Sequence, residues 1–162
     1  MTPAQREERI EQYANGPLRL RSALATVPDE AVKWRPGPGR WSAHEIVCHC
    51  ADSELNAAAR VRYLVAEKDP VVLGYDQDNW ARVFDYHAHP LETALLTVDA
   101  VRGNTVPILR RLSDEQWARA GNHTESGRYT VIDWLRSYSD HVENHSRQIE
   151  RNVEAWFERG GA

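Results

Sequence analysis

Cysteine is scarce: the 162-residue chain has two, Cys48 and Cys50, separated by one residue. Two thiols so close on the chain exclude a disulfide framework. Lysine is rarer than arginine, with Lys33 and Lys68 the only two, and no run of basic residues occurs. Lys plus Arg number 20 against 24 for Asp plus Glu, a net charge of −4. No nucleic-acid partner is therefore expected, and the arginine bias is read as genome composition. No apolar stretch reaches the roughly 20 residues that span a bilayer, so no membrane partner is expected either. The N-terminal segment MTPAQREERIEQ has no apolar signal-peptide core. Repeats of about 20–50 residues and low-complexity tracts are missing. What is present is an ordinary soluble composition, 41% apolar and 27% charged. A chain of this length suits one domain, residues 1–162. It can bury about two-thirds of its unfolded surface and needs neither metal nor disulfide merely to fold. A reducing cytoplasm is the expected compartment.

Glycine and proline divide the chain into helical stretches. The first runs from Pro3 to Val27. Gly16-Pro17 is expected to break or kink it, because proline lacks the N–H donor and crowds the preceding turn. After the PGPG loop, Ser42 and Glu45 form a capping box in which each side chain satisfies the other's orphan N–H. Trp41, before the cap, is placed to pack on Ile46 as a hydrophobic staple. This second helix extends to about Glu67. Residues 68–89 read as irregular, with a short helical turn near Asp78–Val83, and the apolar run at 70–75 is not read as strand. A third helix fits Leu91 to Leu112, kinked or limited by Pro107. Ser113–Tyr129 reads as a loop. Thr130 caps a last helix, Val131 to about Glu158, with Asp133 favouring its dipole. The Gly160-Gly161 pair closes the chain. The expected fold is all-α: a four-helix bundle with one long crossover connection after the second helix.

Residues 44–50, HEIVCHC, resemble a zinc-protease motif, but the spacing excludes it. That motif needs histidines at i and i+4 on one helix face. His44 and His49 are i and i+5, about 140° apart at 100° per residue. Cys48, His49 and Cys50 also diverge, so at most one residue of the seven points at any one ion. The cysteines read as packing residues. His44, in the first turn beside the cap, reads as solvated. His49 lies far enough along the helix to reach a bundle interior.

The last helix supplies what the second lacks. His141 and His145 are i and i+4, in a stripe with Trp134, Tyr138, Ile149 and Val153, so they face a core. Two uncompensated imidazoles in a core are costly, and an ion that takes both nitrogens removes the cost. With His49 they make three protein ligands and leave one open position, the arrangement of a catalytic zinc-type site. Imidazole suits Zn, Ni, Fe or Cu; zinc and nickel are the first expectations. Asp52, i+3 from His49, is the candidate acceptor for its second nitrogen. Asp140 and Glu143 lie on flanking faces and read as solvated.

These residues resemble a known family. Trp41-Ser42, Glu45, His49 and Ala51-Asp52-Ser53 are similar to the second-helix signature of the DinB-like superfamily. Tyr75-Asp76-Gln77-Asp78-Asn79-Trp80 resembles the Y-D-x-D-x-W motif of its YfiT branch. His123-Thr124-Glu125-Ser126-Gly127 resembles an H-P-E-S-G loop, and His141 to Ile149 resembles the last-helix motif. The resemblance covers about residues 15–155. It implies a four-helix bundle, a homodimer, and a divalent metal on His49, His141 and His145. It also implies either metal-dependent hydrolysis or transfer of a low-molecular-weight thiol, of bacillithiol or mycothiol type, to an electrophile. Cys50, Val142 and Asn144 depart from the family pattern without removing a ligand. Val142 and Asn144 are placed to reshape the pocket, and Tyr138 or Glu125 to assist proton transfer. Three functions stay open: a metal-dependent thiol S-transferase, a hydrolase whose nucleophile is metal-bound water, and a non-catalytic metal-binding stress-response protein.

Overall fold

The computed structural model describes residues 1–160; Gly161 of the terminal glycine pair and Ala162 lie outside the described residues. In chain order the helices are α1 (Pro3–Leu24), α2 (Ala43–Ala66), the short α3 (Gln77–Val83), α4 (Leu91–Leu109), the single turn α5 (Asp114–Trp117) and α6 (Val131–Glu158). The four long ones form a four-helix bundle. α1 packs on α6 and α4, and α2 packs on α4 and α6, so α1 and α2 sit diagonally although they are consecutive. The long crossover is the segment between α2 and α4, which carries α3. No helix among the described residues is long and apolar enough to cross a membrane.

Local chemistry sets the helix starts. Thr2 with Gln5, Ser42 with Glu45, and Thr130 with Asp133 each form a capping box in which both orphan donors are satisfied. Every residue from Ser42 to Ala51 is buried, so HEIVCHC has no solvent face at all. His44 is therefore not solvated. It is 5% exposed, and its Nε2 lies 2.8 Å from the His89 carbonyl. The connection before α4 folds over the start of α2, which a helical wheel for α2 alone does not reveal. Glu45 sits beneath the same cover, against Arg35, Ser42 and His87. Burial raises its pKa, but the hydrogen bonds from Arg35 and Ser42 outweigh this and hold it at about 2.

The helix α1 runs unbroken through Gly16-Pro17, where a break or kink is expected from the sequence. The reason is Arg102 of α4, which is 1% exposed. Proline at position 17 leaves the Tyr13 carbonyl, four residues back, without its helical donor. Arg102 Nη1 takes that place, donating to Tyr13 O at 2.7 Å. Gly16 makes the room: a Cβ there would stand 2.0 Å from Arg102 Nη1. Arg102 Nη2 also donates to Glu54 Oε1 at 2.5 Å and to the Tyr138 carbonyl at 3.0 Å. Tyr13 Oη completes the network by donating to Glu54 Oε2 at 2.8 Å. One buried ion pair thus joins α1, α2, α4 and α6. Pro107 also sits inside its helix, but it is exposed and so is Gly103, whose carbonyl it leaves free. Water can satisfy that group.

The expected loop at 113–129 is more ordered than its composition suggests. It holds α5 and the hairpin of β2 (Ala120–His123) and β3 (Gly127–Thr130), turning at Gly127 with φ +75°. The strand β1 (Val71–Val72), from the run read as non-strand, pairs parallel with β2 through Val71↔Asn122 and Val72↔His123. Strands this short show no alternation to read, and the pairing of 71–72 with 122–123 is entirely non-local. The sheet is a minor addition to an otherwise helical molecule.

Removing Glu54 strands a buried guanidinium. Glu54→Ala is expected to lower unfolding free energy by about 3–5 kcal/mol. Glu11→Ala, which removes an exposed partner of Arg110, is expected to lose about 1 kcal/mol or less. Urea denaturation of the two variants beside wild type measures the contrast.

Candidate metal centre

The second helix brings His49 to the interior, and α6 brings His141 and His145 to the same place. Ring centroids lie 5.2 Å apart for His49–His141, 4.8 Å for His49–His145 and 4.6 Å for His141–His145. One nitrogen from each ring falls within 4.8 Å of the other two. Among the described residues, no other set of three His, Cys, Asp or Glu converges in this way. His49 Nε2 and His141 Nε2 are 3.2 Å apart. An ion with bonds of about 2.0–2.1 Å holds tetrahedral nitrogens about 3.3 Å apart, so the pair fits one edge of such a site.

Hydrogen bonding points the same way. A neutral imidazole has one donor and one acceptor nitrogen. His49 Nδ1 and His141 Nδ1 are buried with no protein partner, while the two Nε2 atoms face each other. No choice of tautomers satisfies both rings from protein groups alone. His145 is better supported: its Nδ1 lies 2.9 Å from Gln148 Oε1. Gln148 accepts there, which places the proton on Nδ1 and leaves the Nε2 lone pair for a ligand. Burial pushes all three pKa values down. His49 falls to about 3, helped by His145; His141 falls well below its ordinary value, helped by His145 and His49; His145 is lowered as well. All three are held neutral at pH 7, the state that metal ligation requires. Three imidazoles without thiolate or carboxylate are a donor set for zinc, nickel, iron or copper rather than magnesium or calcium.

Trp41 walls the site. Its ring lies 4.7 Å from His49, tilted, and 6.4 Å from His145, stacked, and it also packs on the core cluster that includes Ile46. A cavity of about 220 Å³ lined by Gly39, Arg40, Trp41, Gln77, Asp78, His145 and Gln148 reaches the site at His145. It adjoins a cleft of about 520 Å³ that shares Gly39, Arg40, Trp41 and Asp78. Gln77 and Asp78 belong to the motif between α2 and α4, which places that motif at the mouth.

Other candidates fall elsewhere. Asp52 does not support His49; its Oδ2 accepts from Tyr86 Oη at 2.6 Å. His49 Nδ1 is left without a hydrogen-bond partner. Asn144 is exposed, because the stripe that carries His141 and His145 turns it outward. Tyr138 is buried, 6.0 Å from His141 ring to ring, but its hydroxyl accepts from Arg60 Nη1 at 2.7 Å. Glu125 is exposed on the hairpin turn, against Gly74. Asp140 and Glu143 pair with Arg9 and Arg19 on flanking faces. Cys48 and Cys50 are buried free thiols. Burial pushes Cys48 up to about 12 and Cys50 higher still, so both are packing residues. Gln148 and Trp41 were visible as motif letters, but their roles depend on which ring atoms they meet.

Fold and site together define a four-helix-bundle protein with a three-histidine cluster, His49 buried and His141 and His145 half-buried. The DinB superfamily model matches residues 12–149, and the chain belongs to that superfamily. A protein of Oceanobacillus iheyensis, named as a candidate metal-dependent hydrolase, is 28% identical over 142 residues, covering 88% of this chain and 82% of its own. YfiT of Bacillus subtilis, named in the same way, is 25% identical over 146 residues, covering 90% and 82%. The solved structure of YfiT is described as a probable metal-dependent hydrolase with an unusual four-helix bundle topology. It superposes with a TM-score of 0.88 at 23% identity, over 95% of this chain and 89% of that one. The fold is shared.

Burial of neutral histidines makes stability depend on pH. His49 binds its proton near pH 3 when folded and near about 6.5 when unfolded. Between those values the unfolded chain holds more protons, so stability falls as the pH drops below about 6.5. Metal-stripped protein is expected to lose about 2 kcal/mol through His49 alone between about pH 7 and pH 5. Chemical denaturation across that range, with His49→Leu as the flatter control, measures it.

Proposed function

We propose that the chain is a single domain working as a metal-dependent enzyme on a small molecule, with a divalent ion held by His49, His141 and His145. The observation that carries this reading is the convergence of three neutral imidazoles, two of them with otherwise unpartnered nitrogens and the third, His145, lining an open cavity. Such an ion supplies Lewis acidity, lowering the pKa of a water or thiol that shares it. The protein's own residues do the rest. Gln148 holds the His145 tautomer. Trp41 covers two of the rings and keeps bulk water from them. The cavity of about 220 Å³ has room for a small nucleophile.

Two nucleophiles compete. The names of the relatives favour water, and hence hydrolysis. The motif resemblance favours a low-molecular-weight thiol attacking an electrophile. The homodimer and the reducing cytoplasm that accompany the resemblance belong to this proposal too.

Purified protein is expected to hold about one divalent ion per chain. His141→Ala should abolish stoichiometric binding with helix content retained, and Gln148→Ala should weaken affinity by about 10–100-fold. Metal analysis and circular dichroism read both. No bound divalent ion, together with unchanged stability in His49→Ala, would sink the enzyme reading. Conjugate formation only with added thiol selects the transferase; ester or amide cleavage without thiol selects the hydrolase.

A further inference from the structure

We infer, on the three-histidine reading above, that Ser53 is the fourth polar group of the centre: its hydroxyl hydrogen-bonds the small nucleophile that shares the ion. Ser53 stands one helical turn after His49 on α2, so both project from one face. It is 4% exposed. Its Oγ lies 3.4 Å from His141 Nε2, the nitrogen that faces His49 Nε2 at 3.2 Å. His141 Nε2 therefore lies within reach of both the His49 nitrogen and the Ser53 hydroxyl.

The hydroxyl's direction is the informative part. A serine or threonine inside a helix commonly bonds back to the carbonyl four residues earlier. Thr97 does so to Thr93 O at 2.9 Å, and Thr105 to Val101 O at 2.8 Å. Ser53 does not turn to its own helix; its neighbours are the His141 ring and the half-buried phenol of Tyr75. Tyr75 opens the motif between α2 and α4 whose Gln77 and Asp78 line the mouth. Once the histidine nitrogens are committed as ligands, they no longer accept from Ser53. The hydroxyl then shares its proton between the Tyr75 phenol beside it and an oxygen or sulfur atom brought to the ion, and either bond keeps it satisfied in a buried site.

The test replaces the hydroxyl with a stronger ligand and reads the coordination directly. Full-length wild type and Ser53→Cys are loaded with Co(II). Wild type keeps Cys48 and Cys50 and so controls for the buried thiols. Both proteins are expected to show the visible bands of cobalt bound to imidazole, and only Ser53→Cys an added, intense near-ultraviolet band from thiolate to cobalt. Identical spectra overturn the role of Ser53 and leave the three-histidine centre standing; no cobalt bands in either protein overturn both. In a second measurement, 2-mercaptoethanol is titrated into the cobalt proteins. Ser53→Ala is expected to weaken its binding roughly three- to tenfold, the worth of one hydrogen bond, and Ser53→Thr to restore it. Unchanged affinity in Ser53→Ala overturns the inference.

Discussion

The buried ion pair of Arg102 and Glu54 holds the bundle in register. A charged pair with 1% and 0% exposed side chains is costly to bury and tolerable only when every remaining donor and acceptor is met. Here the requirement is largely met by backbone. The carbonyls of Tyr13 and Tyr138 take the guanidinium's Nη donors and the hydroxyl of Tyr13 donates to the carboxylate, while Arg102 Nε alone is without a partner. Those partners lie on different helices, so satisfying one guanidinium fixes the relative positions of all four. The network also explains two residues that look like faults. Pro17 frees a carbonyl, and Gly16 clears space, for the same side chain.

The histidine cluster inherits this placement. Glu54 follows Ser53 on α2, and Tyr138 precedes His141 by three residues on α6. The helices that carry the ligands are tied together beside the ligands themselves. Rigid positioning matters because imidazoles do not attract one another. Desolvation keeps all three neutral, and their lone pairs are brought together by the scaffold rather than by any mutual preference. A site built this way depends on helices that cannot slide. The cover over the start of α2, made by His87, His89 and Arg35 around Ser42, His44 and Glu45, fixes the other end of the same helix.

Much of this is legible in the amino-acid order where the cause is local. The Ser42–Glu45 box announces α2, and Thr130 with Asp133 announces α6, because a cap is a contact between residues three apart. The i, i+4 spacing of His141 and His145 in an apolar stripe shows that both face a core. The same periodicity excludes HEIVCHC as a two-histidine ligand set. The failures share one form. From the sequence His44 reads as solvated, because its cover comes from His89, far along the chain. Asp52 is spaced to reach His49 but takes the Tyr86 hydroxyl instead. The strand at 71–72 is defined by pairing with 122–123, about fifty residues away, while the hairpin at 120–130 pairs locally in strands too short to show an alternation.

By itself, then, the sequence determined the helix starts, the faces and the three histidines that could share an ion, since each follows from rotation per residue and from hydrogen bonds within a turn. The tertiary structure alone decided which nitrogens converge and that Gln148, Trp41 and Ser53 surround them. It also decided that Gly16-Pro17 is a niche rather than a break. Those depend on distances between helices, and these are set by packing and by the need to satisfy a buried charge, which no window of neighbouring residues contains.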